Sequence, residues 1–487
     1  MRFDLEAENE KMIAKRHRLV PAVQFGLWFF AFMLLESFVN SRIATDLGAQ
    51  AVNAAYSIGI FCTGTGLLAF GLVHAYRAAW CKRAVPVAAA VCSAATCGVA
   101  LSHHMAFLAA CSCLALLACG FVGGRAHHAI ACAFGESSWC GRMIGAVTGS
   151  VVCVQFVVQN ITQGPVPALL CIIGSVVALA VVDARATNPA TPPHMDAAAQ
   201  ARTWPHDSAD KRRHGIYLVV AAAILTIIFT LNDSIVVALD ASGNLELFSG
   251  VRLFYALGLV VAGLLYDLGP RFSFTFSTVA VQILAVLVPY FLWAPAWYNL
   301  NMALFYFYGG FYVMFITAEF VSFSSQMHRD ALWAGLGRMT RCYAAAATVI
   351  PISLLYAAFG VVSLVVAGVA FNMALLAICV ADATLLARYR LPELQASETE
   401  ASNSAIVDFD EHDVEQFAQS IGLTSRELEV LCLMVTTEDE NQKMADDLGI
   451  SRRTLQRHIA QVYEKAGVQS RIGLYRAVAA HLANRKG

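Results

Sequence analysis

Long runs of apolar residues, separated by short polar stretches, fill the chain up to about residue 387. An α-helix needs about 20 apolar residues to cross a bilayer, and a helix satisfies its own backbone hydrogen bonds in lipid. The alternating pattern of membrane strands is missing from these runs. The pattern therefore predicts twelve membrane helices, at 20–41, 51–73, 85–102, 105–124, 143–163, 165–183, 215–239, 249–266, 273–293, 300–322, 343–359 and 361–387.

The twelve predicted helices fall into two groups of six. Residues 20–183 form the first half and residues 215–387 the second, on either side of a polar, proline-containing central loop at 184–214. Glu36 and Asp233 stand at similar depths in the first helix of each half. Internal repeats of this kind are common in membrane transport folds. We therefore expect an all-α bundle built from a duplicated six-helix unit.

Lysine and arginine residues of the membrane region sort to one side of the predicted bundle. If the N-terminal segment 1–19 lies inside, 21 of 23 cations face inward, and only Arg42 and Arg252 face outward. Positive charge marks the cytoplasmic side, and no signal-peptide cleavage site follows the charged N-terminal segment. The sequence thus predicts a multi-pass protein of the bacterial cytoplasmic membrane, surrounded by the lipid bilayer, with both termini in the cytoplasm.

Four ionisable side chains are candidates for a sensor site inside the membrane, where charge is costly: Glu36, Asp233, Arg252 and Glu319. They can line a central site for a small-molecule ligand of unknown identity. They can also hold helices together, or include an Asp233–Arg252 pair left from an ancestral transporter. For Glu36 and Asp233 both interpretations stay open, whereas lone Asn and Gln residues favour contacts between helices.

The loop after the eighth predicted helix reads Gly263-Leu-Leu-Tyr-Asp267-Leu-Gly269-Pro-Arg271. It resembles the G-x-x-x-D-x-G-x-R loop of major facilitator superfamily transporters. The resemblance implies a glycine for close helix packing and an aspartate at a helix end joined to an arginine. The matching loop of the first half, Gly71 to Arg83, lacks the aspartate, which weakens the case for transport but not for the fold.

Composition separates the membrane region from the C-terminal hundred or so residues. The chain is 58% hydrophobic and 14% charged, and residues 388–412, which are acidic from residue 393 onward, are predicted to be a linker. The fourteen cysteines are interpreted as apolar fillers, and the histidine pairs 103–104 and 127–128 as loop polarity rather than metal ligands. Neither a phosphate-binding loop nor a nucleophile arrangement occurs, so no enzyme, catalytic residue, cofactor or metal is expected.

Residues 413–487 have the pattern of a soluble domain of four short helices. Thr424 and Glu427 have the spacing of a capping box at the start of the first helix. Ser451 is expected to cap the third helix, which ends at Gly467. A short helix, a tight turn and a basic helix in this order are typical of a helix-turn-helix.

Specific segments carry a resemblance to a known family. Leu423-Thr-Ser-Arg-Glu-Leu-Glu-Val-Leu431, Asn441-Gln-Lys-Met-Ala445, Leu448-Gly-Ile-Ser451, Thr454-Leu-Gln-Arg-His458 and Lys465-Ala-Gly-Val468 with Arg471 resemble the LuxR-type helix-turn-helix in order and spacing. The resemblance implies binding to double-stranded DNA, commonly as a homodimer joined through the fourth helix. The predicted DNA-binding residues are Lys443, Arg452, Arg453, Thr454, Gln456, Arg457, His458 and Lys465.

Taken together, the membrane region and the C-terminal domain predict a membrane-embedded, one-component transcription regulator. The membrane region would sense a ligand or cue, and the C-terminal helix-turn-helix would bind promoter DNA. The main alternative is a membrane transporter with an attached regulatory DNA-binding domain. A second alternative is a membrane scaffold whose helix-turn-helix binds only protein, although the basic face of the third helix argues against it.

Overall fold

The structure is a computed structural model, and it describes most of the chain. Its backbone is described for residues 2–47, 49–102, 104–161, 164–185, 208–241, 250–268, 274–275, 277–283, 297–403, 411–436, 441–468, 471, 473–474, 477–478 and 481. Within these ranges the regular elements are all helical. The chain divides into two compact units, Met1–Ala387 and Arg388–Gly487, which we describe separately.

The first unit is a bundle of long, apolar helices. Its first half contains α1 (Arg2–Leu47), α2 (Ala49–Leu101), α3 (Met105–Phe134), α4 (Cys140–Ile161) and α5 (Pro165–Arg185). Its second half contains α6 (Ser208–Ala241), α7 (Leu253–Leu268) after a 3₁₀ turn at Gly250–Arg252, α8 (Tyr298–Met314), a π-helical turn at Phe315–Glu319, α9 (Phe320–Ser324) and the part of α10 (Asp330–Asn403) up to Ala387.

Nine helices in the described residues are long and apolar enough to cross a membrane. Two of them reach 51 and 56 residues, and both contain a break in helical geometry, at Arg77 in α2 and at Gly360 in α10. Gly360 has φ 69°, which glycine adopts without the strain of a side chain. If each bent helix crosses twice, the count is compatible with twelve. The predicted helix at 273–293 falls largely outside the described residues.

Glycines let the helices of the bundle approach each other closely. A Cβ atom on Gly263 of α7 would stand 2.5 Å from the carbonyl oxygen of Gly141 in α4, and one on Gly120 of α3 would stand 2.1 Å from the carbonyl oxygen of Thr63. Small residues at helix crossings are the usual packing device in membranes. Large apolar side chains such as Leu170 and Val366 are exposed on the outside, as expected of a lipid-facing surface.

Asp267, the acid of the facilitator-like loop, joins the two halves of the bundle. Its carboxylate accepts hydrogen bonds from the backbone N–H groups of Gly141 and Arg142, at 2.9 and 2.8 Å, at the start of α4. The Arg142 guanidinium lies 3.7 Å from the same carboxylate. A negative charge at a helix N-terminus is favourable, which accounts for the contact of this aspartate with the start of α4. Arg271 lies outside the described residues.

The second unit contains α11 (Glu411–Ser420), α12 (Ser425–Thr436), α13 (Asn441–Asp447) and α14 (Arg452–Ala466), followed by helical positions from Arg471 onward. Its core includes Leu431 and Val435 of α12 and Leu455 and Val462 of α14. This core belongs to the unit itself, so the helices of the unit are held by one another. The arrangement of α12 to α14 is that of a helix-turn-helix.

Two stretches are helical in the structure although the sequence pattern did not predict a helix there. The helix α11 was not predicted, yet Val414, Phe417 and Ala418 bury their side chains in the core of the second unit. The second and third of these residues follow the first by three and four positions, which is the spacing of one helix face. The helix α10 continues to Asn403, so part of the predicted linker at 388–412 is helical, in a stretch rich in Leu, Glu, Gln and Ala that favours helix.

Candidate functional site

The recognition helix α14 has a capping residue at each end. The Ser451 Oγ accepts a hydrogen bond of 3.2 Å from the backbone N–H of Thr454, and Ser451 itself is extended at ψ 148°. At the other end, Gly467 adopts the left-handed conformation at φ 65°, and its N–H donates to the carbonyl of Glu464. Both predicted helix limits are confirmed, and they give α14 a defined length and direction.

One face of α14 is buried and the opposite face is free. Leu455 and Val462 are completely buried, and Ile459 packs against the same core. Residues three and four apart share a helix face, so Arg453, Gln456 and Arg457 form the opposite, exposed face. Arg452 is exposed as well. The basic face that the sequence predicted is therefore open to a partner with negative charge.

Thr454 and His458 stand at the edges of that face. The Thr454 hydroxyl lies 2.8 Å from the Ser451 hydroxyl, so it takes part in the helix cap. His458 is half-buried, and its Nδ1 is buried without a hydrogen-bond partner among the described residues. Lys443 is exposed on α13, the helix that precedes the turn. Assignment of these three residues to DNA contact stays a prediction.

Lys465 has a structural partner in addition to its predicted role at the DNA backbone. Its ammonium donates to the Glu427 carboxylate at 2.7 Å and to the Gly422 carbonyl at 3.1 Å. The same Glu427 oxygen accepts the backbone N–H of Thr424 at 2.7 Å, which confirms the capping box of α12. These hydrogen bonds, the Lys465 bond first, lower the pKa of Glu427 to about 2.

Two further arginines connect helices of the second unit through hydrogen bonds to backbone carbonyls. Arg426 donates to the carbonyl of Leu448 at 2.7 Å, where α13 ends, and Arg471 donates to the carbonyl of Met434 at 2.8 Å, near the end of α12. Terminal carbonyls of helices lack partners within the helix, and cations there are favourable. Both arginines lie in the LuxR-like segments, so those segments also contain residues that position α14.

In the membrane unit, one of the four candidate sensor residues, Glu36, approaches an arginine of the other half. Glu36 of α1 lies 3.9 Å from a guanidinium nitrogen of Arg341 in α10, which also stands 3.4 Å from the Tyr56 hydroxyl of α2. Asp233 of α6 is within electrostatic range of both Arg341 and Glu36. Residues of both halves thus form one cluster of charges inside the bundle.

A second arginine on the same helix is almost completely buried, and three aromatic rings of α1 lie against its guanidinium. Arg338 is only 2% exposed, and its guanidinium carbon lies 5.3 to 5.9 Å from the ring centres of Trp28, Phe29 and Phe32 of α1. Its Nε and one Nη have no hydrogen-bond partner among the described residues. Cation–π contacts offset only part of the cost of burying a charge. The geometry therefore leaves buried donors available to an anion.

The other two candidates, Arg252 and Glu319, have different surroundings. Arg252 donates to Gln155 at 3.2 Å and stands over the ring of Tyr306. Glu319 is buried at the end of the π-helical turn in the second half. Turns of π-helix are rare and often occur at functional sites. Some of the lone amides make contacts between helices, as in the 3.0 Å bond from Gln282 to Asn372 and the 3.2 Å bond from Asn53 to Ser353.

Two sequence-based interpretations of the membrane unit are wrong. Arg338 and Arg341 were counted among the inner loop cations, yet they lie in α10, which begins at Asp330 rather than near 343. Their spacing of three, after the apolar stretch Ala331–Gly337, was the available signal for one helix face. The predicted excess of cations on the inner side remains when these two residues are left out.

His127 and His128 are the second correction, because they are not loop residues. Both are buried in α3, with His127 against the rings of Phe25 and Trp28. The Nε2 of His128 lies 3.1 Å from an Asp330 oxygen, and His74 lies beside it. His74, His128 and Asp330 could hold a metal ion, although no metal site was expected. His104 is exposed before α3, and His103 is outside the described residues.

Comparisons with known proteins agree with the two units. Residues 422–478 match the family of bacterial regulatory proteins described as the luxR family. The E. coli fucose:proton symporter is similar in structure, with 13% identity, a TM-score of 0.54 and coverage of 76% of this chain and 98% of the symporter. An auto-inhibited peptide transporter of the POT family is similar too, with 13% identity, a TM-score of 0.50 and coverage of 77% and 97%. No curated protein matches the chain.

The class of protein follows from these findings. It is a helical membrane protein that carries a helix-turn-helix domain at its C-terminal end. More specifically, a LuxR-type DNA-binding domain is fused to a membrane domain with a fold like that of the major facilitator superfamily. The two likenesses are to a regulator family and to transporters, which are generally not enzymes.

Proposed function

We propose that this protein is a membrane-embedded, one-component transcription regulator. The membrane domain receives the signal, and the LuxR-type domain binds promoter DNA as a homodimer. The observation that carries the proposal is the exposed basic face of Arg453, Gln456 and Arg457 on a capped recognition helix, in a domain continuous in sequence with the membrane bundle. In this arrangement both termini lie in the cytoplasm of a bacterium, where the DNA is.

The sensor site of the proposed regulator is the charge cluster around Arg341. Glu36, Asp233 and Arg341 come from both halves, so a ligand that pairs with any of them changes the force between the halves. A switch of this type needs a ligand that binds one state of the bundle better than the other. The buried donors of Arg338, among aromatic rings, favour a ligand with an anionic group and an apolar body.

DNA recovery from cells tests the proposed function directly. The full-length protein is cross-linked to DNA in its host, and the bound fragments are sequenced. A version that ends at residue 410 keeps the membrane domain and serves as the matched control. We expect a few discrete promoter sites for the full-length protein and none for the control. A full-length protein that recovers no DNA above the control refutes the regulator and favours a scaffold that binds protein.

A further inference from the structure

Three side chains with metal-binding chemistry converge from three helices at the end of the bundle where α2 bends. His74 stands on α2 just before the break at Arg77, His128 on α3, and Asp330 at the first residue of α10. The ring centres of His74 and His128 are 4.4 Å apart, and the His128 Nε2 is 3.1 Å from the Asp330 carboxylate. One ligand atom of each residue lies within 4.8 Å of the other two.

These ligand atoms lie near enough to one another to converge on a single small cation after a modest shift. Ligand atoms at about 2.0 Å from a tetrahedral Zn²⁺ stand about 3.3 Å from one another. Imidazole nitrogen and carboxylate oxygen are common zinc ligands, and Cys132 offers a thiol whose sulfur is 3.4 Å from the His128 Nε2. The Asp330 side chain is 47% exposed, which leaves a path for an ion to enter.

An ion pair between His128 and Asp330 accounts for the positions of these two residues, but not for the position of His74 beside them. Within the described part of the chain, the contact of His74 with this pair is a ring contact, in which its imidazole lies against that of His128 at an angle of 54°. Two imidazoles in contact gain little unless a shared partner stands between them, and protonation of both would make them repel. A cation that accepts one nitrogen from each ring supplies that partner.

The position within the fold gives such a cation a structural consequence. Asp267 of the second half joins α7 to the start of α4 in the first half. In the first half, the matching loop from Gly71 to Arg83 has no acid, but it contains His74, and the facing acid is Asp330 at the start of α10. An ion held here would therefore supply, on this side of the bundle, a link between the halves comparable to the one made by Asp267.

We infer that His74, His128 and Asp330 form a binding site for a divalent transition-metal ion, preferably Zn²⁺, that links the two halves of the membrane domain. Cys132 or water completes the coordination. The inference does not depend on the proposed regulatory function, because it concerns only the binding of an ion to the bundle.

The test uses the full-length protein purified in detergent and stripped with a chelator. Co²⁺ serves as the optical probe, and Zn²⁺ is then added in competition. We expect one equivalent of Co²⁺ to give the visible absorption of a four-coordinate site, and one equivalent of Zn²⁺ to remove it. Absence of that absorption together with absence of stoichiometric Zn²⁺ binding overturns the inference.

The variant His74→Ala separates a metal site from a simple ion pair, because it leaves His128 and Asp330 in contact. Loss of a ligand should weaken Zn²⁺ binding at least about 100-fold, since loss of an outer partner alone costs 10–100-fold. Asp330→Asn should do the same. Unchanged Zn²⁺ affinity in His74→Ala overturns the three-residue site.

His214→Ala is the matched control, because His214 forms a comparable pair with Asp382 at 2.6 Å elsewhere in the bundle. It should retain full Zn²⁺ affinity, and a loss equal to that of His74→Ala overturns the inference. Variants are compared only when their elution from a sizing column and their melting temperature match those of the parent. His74→Gln, which keeps a polar side chain of similar length, replaces His74→Ala if the latter does not fold.

Discussion

The ammonium of Lys465, near the end of the recognition helix α14, lies 2.7 Å from the Glu427 carboxylate in the first turn of α12. Glu427 is only 3% exposed and also accepts the N–H of Thr424. One carboxylate therefore closes the cap of α12 and fixes the end of α14. The angle of the helix that would enter DNA depends on this contact, although neither residue lies on its exposed basic face.

The first prediction concerns the stability of the second unit. Glu427→Ala should destabilise a fragment of residues 410–487 by about 2 kcal/mol, because it removes a cap and a hydrogen-bonded charge. Glu429→Ala is the control: Glu429 pairs with Arg426 at the surface, where such pairs contribute about 0–1 kcal/mol. Urea unfolding followed by circular dichroism measures both. If the two substitutions lower the free energy of unfolding equally, the buried contact of Glu427 contributes no more than a surface ion pair.

The same carboxylate sets a pH window for this stability. The folded-state pKa of Glu427 is about 2, below the ordinary value of 4.5, so its contribution is complete above pH 4.5 and is lost as the pH falls toward 2. The parent fragment should therefore lose more stability than Glu427→Gln between these pH values. If the urea midpoints of the two proteins fall in parallel as the pH is lowered, Glu427 is not the source of this pH dependence.

The second prediction concerns DNA recognition. Arg457→Ala should weaken binding of the dimerised fragment to its operator by about 1–3 kcal/mol without unfolding it, because Arg457 is exposed and the core side of α14 is untouched. Gln456→Ala should instead relax the choice of base at one operator position, since glutamine pairs with adenine in the major groove. Fluorescence anisotropy with operator variants distinguishes the two results.

Gln461→Ala is the control on the same helix. Gln461 is exposed but lies in the C-terminal half of α14, whereas recognition helices read bases mainly with their N-terminal residues. Its affinity for the operator should equal that of the parent. Retention of full affinity in Arg457→Ala would exclude Arg457 from the DNA contacts.

The third prediction concerns the charge cluster in the membrane. Glu36→Gln and Asp233→Asn should change the response of a reporter gene to inducer, because both remove negative charge near Arg341. Protein level and DNA binding without inducer should stay as in the parent. Glu136→Gln, an exposed acid in the turn between α3 and α4, is the matched control. Normal responses in both cluster variants would make these acids structural.

The fourth prediction separates a ligand contact from a structural role at Arg338. Replacing a buried, unpaired charge by an apolar side chain of similar length often leaves stability unchanged or raises it. Arg338→Met should therefore keep or raise the melting temperature of the detergent-purified protein, while it abolishes the response to inducer. A lower melting temperature with a normal response would assign Arg338 to packing alone.

The fifth prediction concerns topology. A reporter enzyme that needs export, fused after Arg390, should be inactive, and a reporter that works only in the cytoplasm should be active there. The same pair of fusions after Arg42 should give the opposite result and serves as the internal control. Export of the reporter fused after Arg390 would rule out an even number of crossings with an internal N-terminus.

The features predicted correctly from sequence are those that short segments determine. The capping box of Thr424 and Glu427, the cap at Ser451 and the left-handed Gly467 each depend on a few neighbouring residues. The bend at Gly360 follows from one glycine inside a long apolar run. Helix limits of this kind depend on local spacing, so the sequence alone is enough to recognise the helix-turn-helix.

The features missed depend on contacts between distant parts of the chain. Nothing near Arg338 in sequence indicates that Trp28, Phe29 and Phe32, about 310 residues away, lie against its guanidinium. His128 likewise meets Asp330 over a separation of 202 residues. A charged residue at the end of an apolar run is equally consistent with a loop or an interior site. Tertiary packing decides between them, and the local pattern around a residue does not reveal that packing.

The covalent join between the bundle and the LuxR-type domain has a consequence for how the proposed regulator finds its target. A soluble regulator diffuses through the cell and slides along the chromosome, whereas this domain stays within reach of a two-dimensional surface. The chromosome must bring its operator to the protein. Search time then depends on the motion of the locus, and a gene near the membrane is found sooner than an identical site held deep in the nucleoid.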